Sequence, residues 1–95
     1  MRYVEKPILN LLLKSGLVNQ AQLDEAMKLS VTKRMYPGQM LIMAGAIRPS
    51  ELQAAIDAES MLRSKMIDLN QAASWLNLAC KKGITFCEVA RFLLP

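Results

Sequence analysis

Two stretches of this chain repeat each other 29 positions apart. "GLVNQAQL" starts at Gly16 and "GAIRPSEL" starts at Gly45, and in both a branched aliphatic residue follows the glycine by two positions and a leucine by seven. An apolar pair precedes each glycine by four and five positions. Because glycine adopts the left-handed conformation that ends many helices, each stretch predicts a short helix, a glycine stop, an apolar residue, a cap and a longer helix.

A third glycine follows the same order with one residue deleted. Gly83 precedes an apolar residue, Ile84, and a capping residue, Thr85. Helical hairpins that cannot bury their apolar faces alone bury them by stacking on their neighbours. The sequence therefore predicts a single all-α domain over residues 1–95, a compact bundle of about six short helices built from two helical-hairpin repeats and a divergent third, at about 7–30, 36–65 and 68–95.

Polar residues mark where the helices begin. Three pairs have the spacing of a capping box, namely Asn19 with Gln22, Asp68 with Gln71 and Thr85 with Glu88. The cap of the fourth helix is either Arg48, which the repeat favours, or Ser50, which the chemistry of capping favours. Pro37 and Gly38 predict a turn, after which a short helix spans 39–43.

Apolar residues at spacings of three and four predict the buried helix faces. The chain contains 53% hydrophobic and 21% charged residues, which is typical of a folded domain. The expected stripes are Leu23, Ala26, Met27 and Ser30 in the second helix, Leu52, Ala55, Ile56, Met61 and Leu62 in the fourth, Ala72, Leu76 and Ala79 in the fifth, and Val89, Phe92 and Leu93 in the last. Among the seven methionines, those expected at a contact surface are Met40, Met43, Met61 and Met66.

Cysteine and histidine usage limits the chemistry of the chain. Histidine is absent, so a Cys/His metal site is excluded, and we expect no bound cofactor. Cys80 and Cys87 are expected to be buried free thiols in a reducing compartment. No signal peptide and no apolar run of about 18 residues is visible, so we expect a cytoplasmic protein with no membrane span.

The charged residues do not form a catalytic or nucleic-acid-binding pattern. No nucleophile has a base at a spacing that predicts contact, and the glycine loop of phosphate-binding proteins is missing, so we expect no enzyme. The net charge of +4 permits an anionic partner. A helix-turn-helix needs basic and amide side chains on its recognition helix, whereas the second helix carries Asp24 and Glu25.

The segments "LNLLLKSGLVNQAQLDEAMKLS" and "GQMLIMAGAIRPSELQAAIDAES" resemble the tandem motif of MshEN-type N-terminal domains. These bacterial domains occur on type II secretion and type IV pilus assembly ATPases. The resemblance covers residues 7–59, and the region of Gly83 looks like a weaker continuation. The resemblance implies a regulatory module, and members with the full motif bind cyclic di-GMP through an R-L-G triplet and a closing glutamine.

The chain departs from the family motif at these functional positions. The arginine position falls on Pro7 and Tyr36, the glycine position on Leu9 and Gly38, and the closing glutamine on Ser30 and Glu59, whose charge would repel a phosphate. If Tyr36 and Pro37 are an insertion, Arg34 and Met35 replace the first two residues of the triplet. The ligand site that the resemblance then implies consists of Arg34, Met35, Tyr36, Gly38 and Gln39.

We therefore expect a non-catalytic adaptor or regulatory module that binds a protein partner. The turn at Lys33–Gln39 and the apolar surfaces of the repeats are the predicted contact regions. The alternative is a cyclic di-GMP-binding domain that regulates secretion, pilus or biofilm functions. A second alternative is a small helix-turn-helix nucleic-acid-binding protein, and a homo-oligomer is compatible with each of these hypotheses.

Overall fold

Short α-helices make up the protein. A computed structural model describes residues 5–93, with side chains from residue 6 onward, and this part of the chain contains no β-strand. The prediction of an all-α fold with about six helices is confirmed. The helices are α1 (Glu5–Lys14), α2 (Gln20–Lys33), α3 (Pro37–Met43), α4 (Pro49–Arg63), α5 (Leu69–Lys82) and α6 (Phe86–Leu93).

The predicted capping boxes form, and they set three of the helix starts. At α2 the Asn19 side chain accepts the Gln22 N–H at 2.8 Å, and the Asn19 N–H donates to the Gln22 side chain at 2.9 Å. Asp68 with Gln71 and Thr85 with Glu88 make the same reciprocal pairs at α5 and α6. Because each box satisfies backbone N–H groups that have no partner within the helix, these starts are encoded locally.

Two helix starts differ from a simple cap. Arg48 occupies the cap position of α4, and its N–H donates to Glu51 Oε1 at 2.7 Å, although a guanidinium has no acceptor with which to return the bond. The helix predicted over 39–43 begins earlier, at Pro37, and Gly38 lies buried inside it. Proline suits this first helical position because its fixed φ is helical and its missing N–H has no helical partner to lose.

Three helix connections share one backbone pattern, called here the long joint, at residues 15–19, 44–48 and 64–68. The second residue of each has a left-handed backbone, with φ of +84° at Gly16, +77° at Gly45 and +65° at Lys65. Its N–H donates to the carbonyl three residues earlier at 3.0–3.1 Å, and the next N–H donates to the carbonyl five residues earlier at 2.9–3.1 Å. The fourth residue of each, Val18, Ile47 and Ile67, is buried. The long joint at Lys65 was not predicted, since lysine occupies the position of the glycine.

Two other connections, called the short joint, have one residue instead of two between the left-handed residue and the cap of the next helix. They occupy residues 34–36 and 83–85 and begin with a left-handed residue, Arg34 or Gly83. The N–H after that residue donates to the carbonyl five residues earlier, at 3.1 Å from Met35 and at 3.0 Å from Ile84. The one-residue deletion expected at Gly83 is therefore present, and the α2–α3 connection has the same form.

The order of the joints divides the described helices into two similar halves. In both α1–α3 and α4–α6, a long joint joins the first two helices and a short joint joins the last two. Both kinds of joint recur 49 positions apart, at 16 and 65 and at 34 and 83, and α2 and α5 each have 14 residues. The division of the chain into three units at about 7–30, 36–65 and 68–95 stays a prediction.

The core lies mainly between α1, α4, α5 and α6. The largest fully buried side chains are Phe86, Leu11, Leu12, Leu41 and Leu76, and the Trp75 ring packs against Phe86 with centroids 6.3 Å apart. In contrast, α2 packs mainly on α3 and more lightly on α1. We call residues 20–43 the α2–α3 lobe. One side of α2 is therefore left without a covering helix.

Several positions predicted to lie in the core are exposed or half-buried. In α2 the cause is the side that no helix covers, and in α6 the helix buries a different face from the predicted one. Met27 of the second stripe is exposed and Ser30 is half-buried, since α2 is covered on one side only. The stripe of α5 is confirmed, whereas α6 buries Phe86, Val89 and Ala90 and leaves Phe92 and Leu93 exposed. In α4, Leu52 and Ala55 are buried and the other three predicted residues are half-buried.

The methionines and cysteines also divide between core and surface. Met43 and Met66 are exposed as expected, Met61 is half-buried, and Met40 is buried where α3 packs on α2. Cys80 is half-buried, but Cys87 is exposed, so the expectation of two buried thiols is wrong. Cys87 directly follows Phe86, and in a short helix the residue next to the buried stripe turns toward solvent.

The left-handed backbone at Lys65 gives a test of the long joint. A residue with a Cβ atom is destabilised in this conformation by about 1–2 kcal/mol, and glycine is not. We expect Lys65→Gly to be more stable than Lys65→Ala by about 1 kcal/mol, because both variants remove the same exposed side chain and only one relieves the strain. Urea unfolding followed by the fluorescence of Trp75, the single tryptophan, measures the difference. Equal stabilities of the two variants would contradict the strained joint.

Candidate functional site

The predicted ligand residues lie at the short joint between α2 and α3 and in the first turn of α3. Arg34 is the left-handed residue that ends α2, and Tyr36 is the extended residue that precedes α3. Met35, Tyr36 and Gln39 are exposed, whereas Gly38 is buried in the first turn of α3. The turn brings the five residues together as neighbours in sequence, but none of them lines a cavity described below. Their role as a ligand site stays a prediction.

The other motif positions make contacts within their own helices. Leu9 is buried in α1, and the Ser30 hydroxyl donates to the Met27 carbonyl oxygen at 3.2 Å. Glu59 is the one charged residue among 6–93 that is buried, with its Oε1 3.5 Å from Nη2 of Arg63 one turn later. Its carboxylate is thus paired rather than presented to a ligand.

The α2–α3 lobe carries a group of exposed apolar side chains, which we call the lobe patch. Val31 is the most exposed of them at 80%, and Met43 is exposed at 65%. The complete patch consists of Met27, Val31, Met35, Tyr36 and Met43. Met27 and Val31 are one turn apart and therefore share a face of α2. The remaining large exposed hydrophobic residues in 6–93 lie elsewhere, at Met66 and Leu69 and at Phe92 and Leu93.

Charge is distributed unevenly along α2. Its N-terminal half carries Asp24 and Glu25, and its C-terminal end carries Lys33 followed by Arg34. The Asp24 carboxylate accepts a hydrogen bond from the Gln20 side chain at 2.9 Å. These positions suit the helix macrodipole, which favours anions near the N-terminus and cations near the C-terminus. The exposed residues of α2 are therefore acidic near its start and basic near its end, with Lys28 exposed beside the apolar Met27 and Val31 between them.

An apolar groove runs between α2 on one side and α3 with the long joint that follows it on the other. It has a volume of about 300 Å³, and Ala26 and Leu29 of α2 form one wall. Leu41, Ala44 and Ala46 form the other wall, and Glu25 lies among the lining residues. Small and aliphatic side chains of this kind fit an apolar group better than a charged ligand.

A second cavity, of about 320 Å³, lies where the starts of α4 and α6 meet the end of α5. Ala54, Ala79 and Phe86 contribute apolar lining, and Glu51 and Glu88 lie beside it. Both glutamates accept backbone N–H groups at the starts of their own helices, at 2.7 and 3.1 Å. The helix ends that point to this cavity are therefore already neutralised, which disfavours an anionic ligand.

Cys80 lines the same cavity. Burial is the main reason that the pKa of the Cys80 thiol is raised, the nearby Glu51 carboxylate raises it further, and the Arg48 guanidinium partly opposes the shift. The thiolate is the reactive form of cysteine, so this environment makes Cys80 less reactive. Among residues 6–93, no group of three or more His, Cys, Asp or Glu side chains is arranged to hold a metal ion.

The chain matches no protein-family model, and it shows no significant similarity to a curated protein or to a solved structure. The likeness to MshEN-type domains thus depends on the residues of the two repeated segments alone. The longest helix between residues 5 and 93, α4, has 15 residues, which is too short to cross the hydrocarbon core of a membrane.

The sequence indicated only part of the lobe patch. The predicted contact turn at Lys33–Gln39 includes Met35 and Tyr36, and Met43 was expected at a contact surface. The helical period predicts Met27 in the core and gives no prediction for Val31. An apolar residue beside a helical stripe is buried or exposed according to whether a neighbouring helix covers it, and the helical period does not contain that information.

The two cysteines give a test of the α4–α5–α6 cavity. We expect Cys80 in a Cys87→Ser variant to react with a maleimide more slowly than Cys87 in a Cys80→Ser variant, because Cys80 is half-buried and its pKa is raised. In the Cys87→Ser background, Glu51→Gln removes the nearby charge, keeps an oxygen for the cap, and should lower the pKa of Cys80. The pH profile of the labelling rate would then shift to lower pH. An unchanged profile would show that Glu51 does not act on the thiol.

Proposed function

We propose that the protein is a non-catalytic interaction module that binds a protein surface through the lobe patch. The observation that carries this proposal is the concentration of exposed apolar side chains on α2, the short joint and α3. Exposed apolar side chains concentrated on one part of a small domain are typical of a protein-binding site. Methionine suits such a surface because its flexible, polarizable side chain adapts to the shape of a partner.

The packing of the lobe supports this assignment. Because α2 packs mainly on α3, the Val31 and Met27 side chains face away from the rest of the core and remain in contact with solvent. Burying a side chain of this size stabilises a complex by about 1.5–3 kcal/mol before the costs of association. A partner that covers the patch would gain most from these two residues and from Met43.

The setting of the module belongs to the same proposal. A bacterial adaptor of MshEN-like type would regulate a larger assembly by contact rather than by chemistry, and the two free cysteines suit a reducing cytoplasm. Cyclic di-GMP is the competing ligand, with Arg34 as the residue that would bind its phosphate. This alternative depends on the basic end of α2, at Lys33 and Arg34, which would attract the phosphate.

Affinity capture from the native cell lysate tests the proposal. We expect Val31→Glu and Met43→Glu to reduce the amount of a captured protein at least about tenfold, because each places a charge in an apolar contact. Thr32→Glu adds the same charge to an exposed position on another face of α2 and should capture the wild-type amount. Equal capture by all four proteins, with the Trp75 unfolding curve unchanged, would overturn the proposal.

A calorimetric titration with cyclic di-GMP separates the two ligand classes. Under the proposed function the nucleotide gives no saturable heat. Saturable binding that is lost in Arg34→Ala and kept in Val31→Glu would replace the protein-binding proposal by the nucleotide-binding alternative.

A further inference from the structure

We propose that the occupant of the α2 face is a second copy of this chain, bound with its own α2 antiparallel to the first. This inference rests on the proposed function and names the partner for the apolar surface. It depends on five exposed positions, which we call the α2 stripe: Gln20, Asp24, Met27 and Val31 of α2, and Arg34, the left-handed residue that follows the helix. Successive members are separated by four, three, four and three residues.

That spacing is the one by which two helices pack along each other. An average of 3.5 residues per step keeps a row of side chains on one line of a helix, and helices joined along such rows form coiled-coil pairs. Rows of this kind are normally apolar throughout. Here only the central pair, Met27 and Val31, is apolar, and the ends are polar or charged.

The order of charges along the stripe selects an antiparallel pair. A two-fold axis midway between Met27 and Val31 places Met27 opposite Val31 of the second copy. The same axis brings Asp24 level with the end of α2 in the second copy, where Arg34 follows the helix, since both pairs of residue numbers are centred on position 29. The Asp24–Arg34 contact then occurs twice in the dimer, once in each direction. The two helix macrodipoles are antiparallel, which is also favourable.

A parallel pair of the same helices would be disfavoured. It would place Asp24 against Asp24 and Arg34 against Arg34, and like charges at such contacts are repulsive. The order of charges along the stripe thus favours the antiparallel pair over the parallel one. A helix of 14 residues is about 21 Å long, so the contact area is below that of a standard stable interface and the dimer is expected to be concentration-dependent.

Nothing within the described chain competes for the central pair. Val31 is 80% exposed and Met27 48% exposed, whereas α3 and the groove residues Ala26 and Leu29 lie on the other flank of the buried Leu23. The side chains that would meet at the two-fold axis are therefore available without rearrangement of the fold.

Charge-reversal variants test the proposal by sedimentation velocity over a wide range of protein concentration. We expect the wild-type chain to dimerise, and Asp24→Lys and Arg34→Glu each to weaken the dimer at least about tenfold, because each places two like charges in contact. A mixture of the two variants should form a heterodimer, since the lysine of one then faces the glutamate of the other. The double variant Asp24→Lys/Arg34→Glu should recover the homodimer for the same reason.

Two further variants serve as controls. Val31→Glu should abolish the dimer, and Lys81→Glu reverses an exposed charge at the end of α5 and should leave the dimer unchanged. A wild-type chain that stays monomeric at every concentration would overturn the inference. So would a dimer that is insensitive to Val31→Glu, or single variants whose mixture shows no gain over either alone.

Failure of self-association and failure of protein binding give different results. A monomeric wild-type chain that still loses a captured protein in Val31→Glu would refute self-association and retain the interaction module. A monomeric chain whose capture is also unaffected by Val31→Glu would refute both proposals.

Discussion

The left-handed residue at each joint is the constraint on which the rest of the structure depends. Every connection between the described helices contains one, and it stops the helix while its neighbours' N–H groups occupy the last free carbonyls. At the three long joints the chain then inserts a buried aliphatic residue before the next cap. Helices of 7–15 residues are marginal alone, so their stability comes from the packing that these turns impose.

The two halves built from these joints are covered unequally, and that inequality points to function. α5 packs on α4, α6 and α1, and its Leu76 is fully buried. Met27 stands at the equivalent position of α2, 49 residues earlier, and is 48% exposed because α2 packs mainly on α3 and only lightly on α1. A surface that the second half covers internally thus remains exposed in the first half.

The sequence alone predicts the helices and most of their boundaries, but it does not predict which faces of the helices are covered. Capping boxes at Asn19, Asp68 and Thr85 act within four residues, so they could be recognised directly. The joint at Lys65 was missed because its backbone is imposed by packing around Ile67 rather than by the residue's own preference. The candidate site depends on which helix covers which face, as Met27 and Phe92 show, and that is decided only by tertiary contacts.

Arg34 connects the folding constraint to the proposed interaction. Gly83 occupies the same position of the second short joint, so the backbone there accepts glycine, and an arginine with φ of +56° is destabilising by comparison. A cation at the end of α2 offsets part of this by about 0.3–1 kcal/mol through the macrodipole. The remainder is a strain that the fold retains at an exposed side chain with no role in the core. Lys65 carries the same kind of strain at a long joint, so the strain belongs to the joints, and at Arg34 it falls on the residue that would bind Asp24 of a second copy.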